Sequence, residues 1–187
     1  MKKKLITILL VMIIAMSTTF AAVFQFGASA ALPLPIDTEN PENMANQFKD
    51  FANYQFGADL RITIPFNNVI GLGFGFPTMM SFAGDTANLT LNIKPTIDLV
   101  FAPNSFASIE LGAGYDVGMW WDKDWGYNLT FDAEHFADQP IWYHAGIGLD
   151  LKALGLNISY YLPAPTDTWK PELAGGKLVC GFYLMNF

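Results

Sequence analysis

Residues 54–66, YQFGADLRITIPF, alternate strictly: Tyr54, Phe56, Ala58, Leu60, Ile62, Ile64 and Phe66 share one side of an extended chain, and Gln55, Gly57, Asp59, Arg61, Thr63 and Pro65 share the other. A period of two belongs to a strand, whose successive side chains point to opposite faces. Residues 89–101, LTLNIKPTIDLVF, repeat it, with Leu89, Leu91, Ile93, Pro95, Ile97, Leu99 and Phe101 against Thr90, Asn92, Lys94, Thr96, Asp98 and Val100. The pattern returns in SIELGAGYDVGMW, YHAGIGLDLKA and LGLNISYY, always with one apolar face. Runs near 23–34, 53–66, 68–78, 88–102, 105–120, 141–152, 154–163 and 177–187 predict about eight strands.

A soluble sandwich alternates too, so the pattern alone does not choose between water and lipid outside. Three features do. The polar face carries glycine and ionisable groups, with little of the Lys, Glu, Gln and Thr mixture of a solvated sheet. The runs reach the ~9–11 residues that a tilted strand needs to cross a bilayer. The connections alternate in length: Phe66-Asn67-Asn68, Ala102-Pro103-Asn104 and Ala153-Leu154 are tight, whereas 35–53, 77–87, 121–140 and 163–176 are long. Short turns on one side and long loops on the other are the habit of outer-membrane barrels. An even strand count lets the last strand pair with the first, which matters because lipid offers unpaired backbone groups no partner.

The first residues fit an exported chain. Lys2, Lys3 and Lys4 precede an apolar stretch from Leu5 to Met16 and a small, polar close from Ser17 to Ala22, the build of a secretory signal peptide. Cleavage is expected near Ala21 or Ala22, giving a signal over 1–22 and a barrel over 23–187. Ala28-Ser29-Ala30 suits the small-x-small rule better locally, but a cut there would discard the first strand. The leader takes three of the 10 basic residues, leaving seven against 17 acidic, a formal charge of −10. Nucleic acid is thereby excluded as a partner class, since phosphate binding needs clustered Lys and Arg. Cys180 is the single cysteine, so there is no internal disulfide and no cysteine-built metal site.

In architecture the sequence resembles the small eight-stranded outer-membrane barrels of the OmpA membrane domain, OmpX and OmpW type, over nearly the whole mature chain. The end, KLVCGFYLMNF, is similar to the aromatic-terminated last strand of that class, with Phe187, Met185, Tyr183 and Val179 at alternate positions. Leu178, Phe182 and Leu184 make the opposite face apolar as well, so the facing of this strand stays open. The resemblance implies an all-β, antiparallel up-and-down transmembrane barrel in the outer membrane, with lipid around it and long extracellular loops.

GLGFGFP, residues 71–77, lacks glycine at its sixth place and so fails the dinucleotide fingerprint. As a strand it points Gly71, Gly73 and Gly75 into the lumen, and Gly57, Gly112, Gly114, Gly118, Gly146 and Gly148 fall on the same inward face. That face also supplies ions: Asp59, Arg61, Lys94, Asp98, Glu110, Asp116, His144, Asp150 and Lys152. Arg61, Asp98 and Glu110 lie at similar height. They either plug the barrel or form a gate or binding site, since buried charge must be paired and intramembrane charge often marks function. His144 is either an interior histidine or a general base. The lipid-modifying barrel enzymes pair His with Ser, and no His-x-Ser follows His144 or His135.

The loops are acidic and aromatic. Trp120, Trp121, Trp125 and Trp169 are candidates for binding an apolar or sugar-like ligand or a surface partner; Tyr54, Tyr143 and Tyr160 suit an interfacial girdle. DKDWGYN, residues 122–128, is spaced like the start of a calcium loop, but position 133, where the bidentate glutamate belongs, is Ala133. No metal or cofactor is expected. Asn40-Pro41-Glu42 starts a short amphipathic helix over about 41–52, either a cover for the mouth or a binding element. The reading is a non-enzymatic outer-membrane barrel with surface-active loops. Its alternatives are an OmpW-like conduit or site for small apolar molecules, and a lipid-modifying enzyme.

Overall fold

The structure, a computed structural model, describes residues 22–36, 41–50, 53–83, 88–121, 127–129, 140–152, 154–165 and 167–186. Twelve segments form one antiparallel sheet: β1 (Val23–Pro33), β2 (Gln55–Pro65), β3 (Ile70–Gly75), β4 (Thr78–Ala83), β5 (Asn88–Ile93), β6 (Thr96–Phe101), β7 (Ala107–Tyr115), β8 (Val117–Trp121), β9 (Tyr127–Leu129), β10 (Ile141–Asp150), β11 (Gly155–Ala164) and β12 (Lys177–Asn186). They make eight staves. Four staves are built of two segments each: β3 and β4 part at Phe76-Pro77, β5 and β6 at Lys94-Pro95, and β7 and β8 at Asp116, while β9 pairs with β8 and β10 with β7 on either side of residues outside those described. Proline has no N–H for the ladder, and here the loss is local. Lys94 N–H donates to the Pro77 carbonyl at 2.9 Å and Tyr115 N–H to the Pro95 carbonyl at 3.1 Å, so neighbouring staves stay joined across these breaks. β1 pairs with both β12 and β2, which closes the sheet into a barrel.

The tight turns lie where Asn and Asp stand. The Asn67 Oδ1 accepts from the Val69 and Ile70 N–H groups, both at 2.8 Å. Asn104 does the same for Phe106 and Ala107 at 2.9 Å. In the third turn the Asp150 Oδ1 accepts from Lys152 N–H at 2.8 Å, and Lys152 takes a positive φ of 70°. Short polar side chains fold back on their own backbone in this way, which is why they start turns. All three turns lie at the end where the chain enters β1 and leaves β12.

At the other end α1 (Pro41–Lys49) joins β1 to β2. It is shorter than the 41–52 expected because the chain reverses on itself: Asn53 Nδ2 donates to the Gln47 carbonyl at 3.3 Å and the Tyr54 hydroxyl to the Phe48 carbonyl at 2.7 Å. Those carbonyls are the ones a helix end leaves open. The chain leaving β1 is held against the approach to β12 by Leu34 N–H to Gly176 and Ile36 N–H to Leu173, each 2.9 Å, and by the Tyr160 hydroxyl to the Leu34 carbonyl at 2.8 Å.

Polarity is inverted relative to a soluble fold. On β6, Asp98 is 2% exposed while its neighbour Ile97 is 59% exposed. Leu99, Leu111, Ile109, Ile147 and Ile158 are exposed likewise, and Arg61, Glu110 and His144 are buried. An apolar exterior around a charged interior is the arrangement of a barrel in lipid.

β12 resolves the strand whose facing the sequence left open. Val179 and Tyr183 point inward and are buried; Phe182 and Leu184 point outward and are exposed. Then the register shifts: Gly27 pairs with Tyr183, but Phe26 pairs with Met185, leaving Leu184 as an extra residue. One inserted residue reverses the alternation beyond it. The regular alternation of β12 is therefore interrupted at Leu184.

Candidate functional site

Arg61 on β2 is the centre of the lumen. Its guanidinium pairs with Glu110 on β7 in a short contact, lies 3.7 Å from Asp98 on β6, and lies 3.9 Å from Asp59 two residues up its own strand. Glu110 also accepts from Asn157 Nδ2 on β11 at 2.8 Å, and Asn157 in turn accepts from the Ser159 hydroxyl at 2.7 Å. Asp59 accepts from the Tyr183 hydroxyl on β12 at 2.6 Å. His144 on β10 brings Nε2 to 2.6 Å from Asp98 Oδ1 and stacks on Tyr161 at 4.4 Å between centroids. Side chains from β2, β6, β7, β10, β11 and β12 thus meet in one polar belt across the cylinder.

Glycine makes the belt possible. Asp98 is paired with Gly73 on one side and Gly112 on the other. A Cβ on Gly73 would come within 3.2 Å of the Asp98 Cβ; one on Gly112 would stand 2.1 Å from Asp98 Oδ1 and 2.7 Å from His144 Nε2. In the vacant face of GLGFGFP, Gly73 is therefore the position that gives the Asp98 carboxylate its room.

A second polar level lies toward the long-loop end. Lys94 pairs with Asp116 at 3.3 Å, and its Nζ sits 3.6 Å from the Trp142 ring centroid; Lys177 Nζ approaches the same ring at 5.1 Å. The belt separates two chambers. The outer one is about 30 Å³; the one at the short-turn end is about 170 Å³ and reaches up to Arg61, Glu110 and Tyr183.

The structure divides the nine candidate ions. Asp59, Arg61, Asp98, Glu110 and His144 form the belt; Lys94 and Asp116 form the outer level. Asp150 and Lys152 belong to neither: Asp150 lines the inner chamber and holds the turn, and Lys152 is exposed within that turn. The strand ends at Asp150, so the alternation that put Lys152 in the lumen no longer applies there. Sequence reasoning passed over Tyr183, Asn157, Trp142, Tyr161 and Lys177. Trp142 shares parity with His144 and Gly146, and Asn157 with Ser159, so both were within reach of the same rule; Tyr183 and Lys177 were hidden by the undecided facing of β12.

Of the loop tryptophans, Trp169 is exposed in the last long connection, with a φ of 57°. Trp120 and Trp121 end β8, opposite Thr90 and Leu89 of β5. Trp125, and the calcium-like spacing at Asp122 and Asp124, lie outside the described residues.

No protein-family model and no curated protein matches the chain. Among solved structures it is similar to the attachment invasion locus protein Ail of Yersinia pestis, in complex with the heparin analogue sucrose octasulfate: 15% identity, 89% of this chain and 97% of that chain covered, TM-score 0.52. The fold is that of the small outer-membrane barrels. Neisserial surface protein A is also similar, at 12% identity, 87% and 96% coverage and a TM-score of 0.49. The closed eight-stave barrel with its apolar exterior is the form in which such chains occupy the outer membrane.

Proposed function

We propose that this chain is a non-enzymatic outer-membrane barrel whose lumen is shut by the Arg61 belt and whose loops make its contacts at the cell surface. The observation that carries this reading is the guanidinium of Arg61, engaged with carboxylates from three strands in the middle of the lumen. An eight-stranded interior is just wide enough to be filled by side chains. Between the two chambers stands the Arg61 belt, which weighs against a conduit for apolar molecules. His144 weighs against an enzyme: its side chain is fully enclosed, held between Asp98 and Tyr161, where no acyl chain of a membrane lipid can reach it.

Surface contact is supported by the loops. Ile36, Phe48, Trp169 and Leu173 are exposed at the long-loop end, beside the exposed acids Glu42, Asp167 and Glu172. Ail was crystallised with a polysulfated sugar; an acidic rim of this kind instead favours a neutral or cationic partner. The test has two arms. Planar-bilayer recording of the refolded chain is expected to show no steady conductance, and a steady open channel would overturn the closed lumen. Cells displaying the chain with Trp120, Trp121, Trp125 and Trp169 changed to Ala are expected to lose adhesion to neutral or cationic surfaces while the barrel still migrates as folded. Unchanged adhesion would remove the surface role.

A further inference from the structure

We propose that the outer chamber binds a small monovalent anion, a halide or a short carboxylate, between Lys177 and Lys94. The starting point is an imbalance of charge in a confined place. Two ammonium groups approach one indole, Lys94 Nζ at 3.6 Å and Lys177 Nζ at 5.1 Å from the Trp142 centroid. Among the described residues one carboxylate serves them: Asp116 stands 3.3 Å from Lys94. Among the described residues no carboxylate is in ion-pair contact with Lys177. A ring quadrupole attracts a cation but does not neutralise it, and a desolvated charge needs a counter-charge.

The surroundings supply a pocket of matching kind. The chamber of about 30 Å³ is lined by Lys94, Lys177, the amide side chains of Gln55 and Asn92, the carboxylate of Asp116, and apolar groups such as Met79. It has room for about two waters or one small ion, and none for a sugar or nucleotide. Asp116 opposes an anion, yet among the residues that line the chamber two cations against one acid leave a net positive charge. Beside the chamber, on the ring that both lysines approach, Trp142 carries a buried Nε1–H with no acceptor among the described residues. Below the chamber the belt holds three carboxylates, Asp59, Asp98 and Glu110, around one guanidinium. An anion that enters is stopped there, so the chamber is a terminal site and not a stage in a pathway.

The probe is iodide, read by quenching of tryptophan fluorescence in the detergent-folded full chain, with ionic strength held constant by gluconate, which is too large to enter. The expected result is a saturable quenching component in the wild type that disappears in Trp142→Phe. Chloride and acetate added in competition should remove it, and whichever acts at lower concentration tells halide from carboxylate. Lys177→Met should weaken the apparent affinity about tenfold or more, as loss of a charge-assisted contact implies, and Lys177→Arg should keep it. Strictly linear quenching in the wild type, or no displacement by either competitor, overturns the proposal without any variant having to fold. An unaltered curve in a folded Lys177→Met barrel overturns it equally.

Discussion

Gly112 lies directly across the β6–β7 pair from Asp98, and a Cβ placed on it would stand 2.1 Å from the Asp98 Oδ1. The same Cβ would meet the Ile97 carbonyl at 2.5 Å, a backbone atom that cannot rotate away. Gly112→Ala should therefore destabilise the barrel by about 1–3 kcal/mol, the usual range for overpacking. Gly73→Ala, whose nearest contacts are side-chain atoms at 3.1 to 3.4 Å, should cost clearly less. Urea unfolding of the detergent-refolded variants, followed by heat-modifiable gel migration, ranks the two.

Removing Arg61 leaves Asp59, Asp98 and Glu110 facing one another without their guanidinium. Breaking one side of a buried ion network costs about 3–5 kcal/mol, so Arg61→Ala should lower the unfolding temperature markedly. Adding Glu110→Gln to Arg61→Ala should return part of the loss, because one of the orphaned charges goes with it. A variant of wild-type stability that conducts in a bilayer would make the belt a gate instead of a plug.

The exterior can be tested by depth. Ile97 points outward from the wall, level with the belt, while Phe66 sits at a tight turn. Arginine on the lipid face costs about 2–4 kcal/mol at the bilayer midplane and about 0–1 near its edges. Ile97→Arg should thus be far more damaging than Phe66→Arg in lipid vesicles; equal effects would deny the membrane placement.

His144→Ala should weaken the barrel, since Asp98 loses a partner and Tyr161 a stacked ring. It should change no acyl-release activity on extracted glycolipid, because the wild type should have none. Release by the wild type that vanishes in His144→Ala would restore the enzymatic reading.

Processing offers a further check. β1 begins at Val23 and pairs along its length with β2 and β12. Mass spectrometry of the exported chain should find a first residue at Ala22 or Val23, and a start at Ala31 would remove most of the strand that closes the cylinder.

The walls of the barrel were legible because alternation is a local property. Tyr54 to Phe66 and Leu89 to Phe101 announce their two faces residue by residue, and Asn67 and Asn104 mark two of the turns; Asp150, read as a lumen ion, instead holds the third. The contact of Arg61 with Asp98 and Glu110 was approachable by counting residues from those turns, since adjacent staves keep a fixed register. Two things escaped. The bulge at Leu184 depends on how β12 meets β1, a pairing between the two ends of the chain that no neighbouring residue signals. Lys177 then could not be placed beside Trp142, and the outer level stayed half seen. The role of the glycines was legible as space but not as occupancy: that Gly73 and Gly112 flank the same aspartate follows only from lateral pairing.

Stacked along one axis, the lysine level and the carboxylate level act as two filters of opposite sign in series. A cation arriving from outside is repelled at the first, and an anion that passes the first is repelled at the second. On the closed-lumen reading proposed above, the arrangement resembles a bipolar junction, one that would turn back ions of either sign even before the close fit of its side chains is considered.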